Sequence, residues 1–221
     1  MTDLDTTVDV TDPIWVFVDE IGTRVTLACR RWEALEEAAA DHVRETAAVE
    51  RDPHRPRIDK IAAQSRFADA TDAFLSDTAR LSLLLFPAPR RGNSPAVERT
   101  RARGDRIRRL LQVRSDDPLA NRRLRDAFAH IDERLDAAVH EHGGLIARNY
   151  FETARCDVVD TDRVLRTFNT RELSIRILGE EHHLRPLRDA IGCLERALER
   201  ALRPVARALG LPGDDGRWGN E

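Results

Sequence analysis

The sequence predicts an all-α protein, an up-and-down helical bundle that carries one small β-hairpin before its last helix. Three observations predict it. Apolar residues recur at three- and four-residue spacing over long stretches, and proline and glycine fall mostly between those stretches. Apolar residues make up 41% of the chain and charged residues 34%, a balance that suits a helical globular protein better than a sheet protein or a disordered chain. At 221 residues the chain can build one generous core and does not demand two. One domain is therefore expected over residues 13–209, between a flexible, polar and acidic arm at 1–12 and a flexible tail at 210–221.

The elements follow in order. From Ile14 to Glu50, Val16, Val25, Leu27, Ala28, Trp32, Leu35, Ala38, Ala39, Val43 and Ala47 keep helical spacing until "RDPHRPR", where proline stops the helix. Trp15 and Trp32 read as core residues of this segment. A second helix spans Ile58 to Phe86, its last turn apolar nearly all round as a buried helix end would be, and stops at "FPAPRRGNSP". Ser94 as cap, Pro95 at the first helical position and Glu98 in the first turn start a third helix running to about Val113. Asp117 and Pro118 repeat that signature for a fourth helix, expected to reach roughly His140 before Gly143-Gly144. "DRVLRTF", "ELSIRIL" and "HHLRPL" are short β-like pieces; Leu173, Ile175 and Ile177 alternate with polar residues, which argues for an exposed hairpin at about 163–183. Leu187, Ile191, Leu194, Leu198 and Leu202 then mark a fifth helix to about Leu209, and Trp218 in the tail has no assigned role.

Charge and targeting signals bound the function. The net charge of −3 does not by itself suggest nucleic acid, but ten arginines between Arg99 and Arg125 face only Asp105, Asp116 and Asp117. Lys60 is the sole lysine, a bias that reads as genome composition rather than arginine chemistry. The N-terminus lacks the basic and apolar regions of a signal peptide, and no apolar run approaches the roughly 20 residues that cross a bilayer, so a cytoplasmic protein with no membrane partner is expected. Cys29, Cys156 and Cys193 are odd in number and far apart; they read as small buried hydrophobes, not disulfides or zinc ligands. His140, His142, His182 and His183 have no Cys or carboxylate at a ligand-like spacing, so no metal and no cofactor is expected.

The chemistry concentrates in "NRRLRDAFAHIDERLD", residues 121–136. With Leu124 at zero and about 100° per residue, Phe128, Ile131 and Leu135 fall within about 40° of it and form the core stripe. Asp126 lies near 200°, His130 near 240° and Arg123 near 260°, together and away from that stripe, whereas Arg125 lies near 100°. Asp126 and His130 are an i, i+4 pair in which the carboxylate can orient the imidazole and favour its protonated form. Arg125 and His130 converge on one target more easily if a two-fold copy of the helix supplies a second set. A solvated helix face with an i, i+4 pair is the plain alternative.

The order Arg125-Asp126-Ala127-Phe128-Ala129-His130 resembles the signature of the HEPN superfamily: arginine, a polar residue, three residues, histidine. The resemblance covers roughly Ile58 to His142 and extends to context, since the motif opens a late helix of an all-α bundle. It implies an HEPN-like fold and metal-independent RNA cleavage at a homodimer interface, with His130 as general acid or base, Arg125 on the scissile phosphate and Asp126 orienting His130. Arg122 and Arg123, with the arginine-rich third helix, would hold flanking phosphates. Arg123 also stands at a permitted spacing from His130 and shares its face, so both arginines remain candidates. The resemblance further implies a toxin–antitoxin or phage-defence setting, with a cognate antitoxin or a nucleotidyltransferase as partner. Many members are catalytically silent and serve in dimerisation or partner binding, and a helical scaffold with surface arginines is the reading outside the family.

Overall fold

A computed structural model describes residues 12–87, 94–121, 123–124, 126, 131–142, 147–152 and 164–208. Helix α1 spans Trp15–Arg51 and α2 spans Ile58–Leu85. Val18, Ile21, Val25, Ala28, Trp32 and Leu35 make a buried stripe on α1 at helical spacing, and Phe67, Phe74, Leu81 and Leu85 answer it on α2. The pair is antiparallel, as three contacts along its length show: Arg24 with Asp77 at 3.2 Å, Trp32 against Phe74 with ring centroids 5.2 Å apart, and Arg66 with Asp41 at 3.1 Å. Burying each such Phe stabilises the fold by about 1.5–3 kcal/mol, so this stripe outweighs the surface ion pairs. Trp32 is core, as expected, and Trp15 is partly buried against it.

Helix α3, Pro95–Leu110, begins as its sequence predicts, with the Ser94 hydroxyl accepting from the Val97 N–H at 3.4 Å. The fourth helix does not. Pro118 opens only a single 3₁₀ turn, Pro118–Ala120, with the Asp117 carboxylate accepting from Leu119 N–H at 2.8 Å. Asn121 is extended and its side chain accepts from Arg123 N–H at 3.0 Å, restarting the helix; Arg123, Leu124 and Asp126 are helical, and α4 is assigned over Ile131–His142.

The predicted all-α class is overturned by a four-stranded mixed sheet in the order β1-β2-β3-β4: Ala147–Phe151, Val164–Asn169, Ser174–Ile177 and Glu180–His183. A parallel pair, β1 with β2, places Phe151 beside Phe168; β2, β3 and β4 then form an antiparallel meander. The hairpin expectation missed β1 because a parallel partner comes from a separated segment and leaves no local turn signal. Nor is the sheet an exposed flap: Val164 to Phe168 are all buried. Leu178 and Gly179 both have positive φ, 45° and 83°, the two-residue turn whose twist suits a tight hairpin. On one face Phe168 meets Phe67 of α2 edge-on at 5.8 Å and stacks on Phe151 at 5.0 Å, which seats the sheet on the helix pair. Helix α5, Arg185–Ala208, follows β4 directly and packs along α1. Among the described residues no helix is long and apolar enough to cross a membrane. Residues 1–11 of the expected arm, residue 209 and the expected tail at 210–221 lie outside the described residues; Asp12, the last residue of the expected arm, accepts from Ile14 N–H at 2.9 Å and pairs with Arg106.

Candidate functional site

Of the residues singled out in the 121–136 stretch, Leu124 is 8% exposed and sits in the core, while Arg123 and Asp126 are exposed. That division is the one the helical wheel requires. Arg122, Arg125 and His130 lie outside the described residues, as do Phe128 and the side chain of Ile131. Along α4, Leu135 is half-buried, but Val139, one turn further on the same face, is 45% exposed and His140 is exposed. An apolar face therefore leaves the core within this helix.

The arginine-rich third helix is used differently from the expectation that it holds RNA. The Arg103 guanidinium lies over the Phe17 ring at 4.4 Å and that of Arg108 over Phe86 at 4.9 Å. Arg108 also bonds Asp105 and the Leu85 carbonyl, and Arg106 bonds Asp12. Arg103 and Arg108 fasten α3 to α1 and to the end of α2, and Arg106, itself exposed, ties it to Asp12 just before α1; Arg99, Arg101 and Arg109 are exposed as well.

Beside Leu124 a cleft of about 260 Å³ opens where five elements meet. Leu75 and Ser82 come from α2, Leu119 from the 3₁₀ turn, Leu124 from the turn after Asn121, His182 from β4 and Leu187 from α5. The Ser82 side chain is buried and its hydroxyl has no hydrogen-bond partner. A buried hydroxyl left so costs about 1–3 kcal/mol. Thr78, on the same wall, spends its hydroxyl on the Phe74 carbonyl at 2.8 Å. Sequence reasoning missed this cleft because its residues are scattered from 75 to 187; the His182-His183 pair was the one signal near it.

Two further polar clusters have structural explanations. The spacing around His182 and His183 suggested no carboxylate partner, yet the fold brings Glu172 and Glu181 to His183, their ligand atoms within 4.8 Å of one another and all three residues exposed. The two Glu181 oxygens are already engaged, by the Ser174 hydroxyl at 3.0 Å and by Arg176 at 3.5 Å, so the trio belongs to a surface charge network. His42 is buried between helices and sheet, its Nδ1 3.1 Å from the Thr170 hydroxyl, its Nε2 3.2 Å from that of Thr46, and its ring 5.2 Å from Phe151. Burial first, and the charge of Lys60 second, push its pKa down to about 4. Of the cysteines, Cys29 is half-buried with its thiol pKa pushed up by burial, Cys193 is exposed rather than core, and Cys156 lies outside the described residues. Comparison with protein-family models, curated proteins and solved structures gives no match for this chain.

Proposed function

We propose that the chain is a metal-independent endoribonuclease of the HEPN type, active as a homodimer in which the helices around residues 123–142 of two copies meet. The observation that carries the reading is the exposure pattern of this region. Leu124 anchors it while Arg123 and Asp126 turn outward, and Val139 leaves the core on α4 as an apolar contact for a second copy.

In this scheme one His130 takes the proton of the ribose 2′-hydroxyl, and the oxygen attacks the neighbouring phosphorus. A 2′,3′-cyclic phosphate forms, and the 5′-oxygen leaves with a proton delivered by the second His130 of the dimer. Arg125 holds the phosphate oxygens as negative charge builds on them, with Arg122 or Arg123 on a flanking phosphate. Asp126 orients His130 and raises its affinity for a proton.

A silent module that dimerises or binds a partner protein is the second reading. One observation favours it: Arg103, Arg106 and Arg108 are committed to the fold instead of to a basic groove. RNA cleavage by the purified chain in the presence of a chelator, compared with His130→Ala and Arg125→Ala, separates the two. A dimer without cleavage selects the silent module.

A further inference from the structure

We propose that Arg188 and Arg196, which close over Gly192 on the outer face of α5, form a binding site for a phosphate group, free or esterified in a nucleic-acid backbone. The site uses none of residues 121–142 and is independent of the ribonuclease reading.

The first observation is a glycine without a packing reason. At about 100° per residue, Gly192 lies across α5 from Leu187, Ile191, Leu194 and Leu198, the buried stripe of that helix. A helix interior disfavours glycine more than any residue except proline. At Gly104 a Cβ would strike the Pro87 ring, so packing explains that glycine. At Gly192, beyond the helix backbone and the chain neighbours, the only atoms among the described residues within 4 Å of the same position are Nη1 of Arg188, at 3.2 Å, and Nη1 of Arg196, at 3.7 Å. Both are far ends of flexible side chains, which a methyl group would displace. The missing side chain is the space in which two guanidiniums meet.

The second observation is charge. Two cations brought to one point repel each other unless an anion stands between them. Asp189, next to Arg188, and Glu199, one turn beyond Arg196, are exposed on the same side of α5, yet among the described residues neither pairs with either guanidinium. Glu195 turns toward α1, its Oε1 3.9 Å from the Cys29 sulfur. Arg196 donates from Nη2 to the Cys193 sulfur at 3.3 Å, which holds its side chain over the helix and leaves Nη1 open. Arg185 and Arg200, exposed on that side as well, add positive charge. A metal cation is repelled here, and the two oxygens of a carboxylate suit one guanidinium. A phosphate presents several oxygens around one centre, so each guanidinium bonds its own and one negative group offsets both.

The test follows the Gly192 amide of the full-length chain by heteronuclear NMR. The probes are inorganic phosphate and decathymidylate, a DNA strand without the 2′-hydroxyl that RNA cleavage needs, with chloride at matched ionic strength as the control. Phosphate should move the Gly192 signal saturably, and chloride should not. Arg188→Gln and Arg196→Gln should each weaken binding by about tenfold, the loss of one charge-assisted contact. Gly192→Ala should weaken binding while raising the melting temperature, because alanine is the better helix former and its methyl group parts the guanidiniums. A glycine with a packing role alone would not give that combination. A saturable, arginine-dependent shift with decathymidylate as well as phosphate supports the site and identifies a nucleic-acid backbone as the source; such a shift with phosphate alone supports it and identifies the free ion. Equal shifts with phosphate and chloride, no shift with either probe, or an affinity unchanged in both arginine variants overturns the inference. None of these outcomes depends on whether the chain cleaves RNA.

Discussion

Arg166 on β2 places its Nη1 2.6 Å from both carboxylate oxygens of Asp72 on α2, a residue 94 positions earlier in the chain. Its Nε bonds the Asn149 side chain of β1 at 3.0 Å, and the guanidinium lies 5.5 Å from the centre of the Phe168 ring. One buried cation thus joins both members of the parallel strand pair to the helix beneath them. It is the polar counterpart of the Phe67, Phe151 and Phe168 cluster.

Removing the partner leaves that cation buried, since Arg166 is only 7% exposed. Asp72→Ala should destabilise the chain by about 2 kcal/mol, below the 3–5 typical of a fully buried pair because the Asp72 side chain is about a third exposed. Arg166→Met combined with Asp72→Leu should recover most of the loss, because no charge is then stranded. Denaturant melts of the single and double variants check this; an Asp72→Ala midpoint equal to wild type would refute the coupling.

His42 predicts an acid dependence. Its folded pKa of about 4 lies below the unfolded value of 6.5, so the folded state binds fewer protons and stability increases with pH between the two. The contribution is complete above about pH 6.5 and is lost as pH falls toward 4, with an upper limit of about 3 kcal/mol. Melting temperatures at pH 7, 6 and 5 should fall more steeply for wild type than for His42→Asn, which has no titration there. Parallel slopes would show that His42 does not charge on unfolding.

Gly104 tests the seat of α3. In a helix interior Gly→Ala ordinarily gains about 1 kcal/mol. Here the added Cβ would stand 2.7 Å from Cδ of the Pro87 ring and 3.3 Å from the Leu85 carbonyl oxygen. Gly104→Ala should therefore lower the melting temperature, and a rise would mean that α3 and the end of α2 can part without loss.

Val139 tests the dimer. Val139→Glu puts charge on an exposed apolar position, so the isolated chain should keep its unfolding free energy within about 0.5 kcal/mol of wild type. Light scattering should then report a monomer where wild type is a dimer, with cleavage lost alongside. A wild-type chain that runs as a monomer at all concentrations would end the two-fold account.

Much of this architecture was legible in the residues, and the misses share a cause. The stripes of α1 and α2 and the Ser94-Pro95 start of α3 are local patterns, and local patterns are what a sequence displays. Asp117-Pro118 is an equally good local start, but the side chain of Asn121 ends that turn after three residues and opens another. The sheet depends on pairing 147–151 with 164–168, and Arg166 and Thr167 are buried there although their letters are polar. The roles of Arg103, Arg106 and Arg108 come from Phe17, Asp12 and Phe86, partners far away in the sequence. Of the candidate site, the outward turn of Arg123 and Asp126 was legible from the wheel; the cleft that Ser82 and His182 share was not, because no single segment contains it.

The most direct measurement is the rate at which the purified chain cleaves RNA in excess chelator, with and without His130. Wild type should cut and leave 2′,3′-cyclic phosphate ends, and His130→Ala should lower the rate by about 10²–10⁴-fold with its melting temperature unchanged. Equal rates in the two proteins, or cleavage that appears only when a divalent metal is added, would contradict the account.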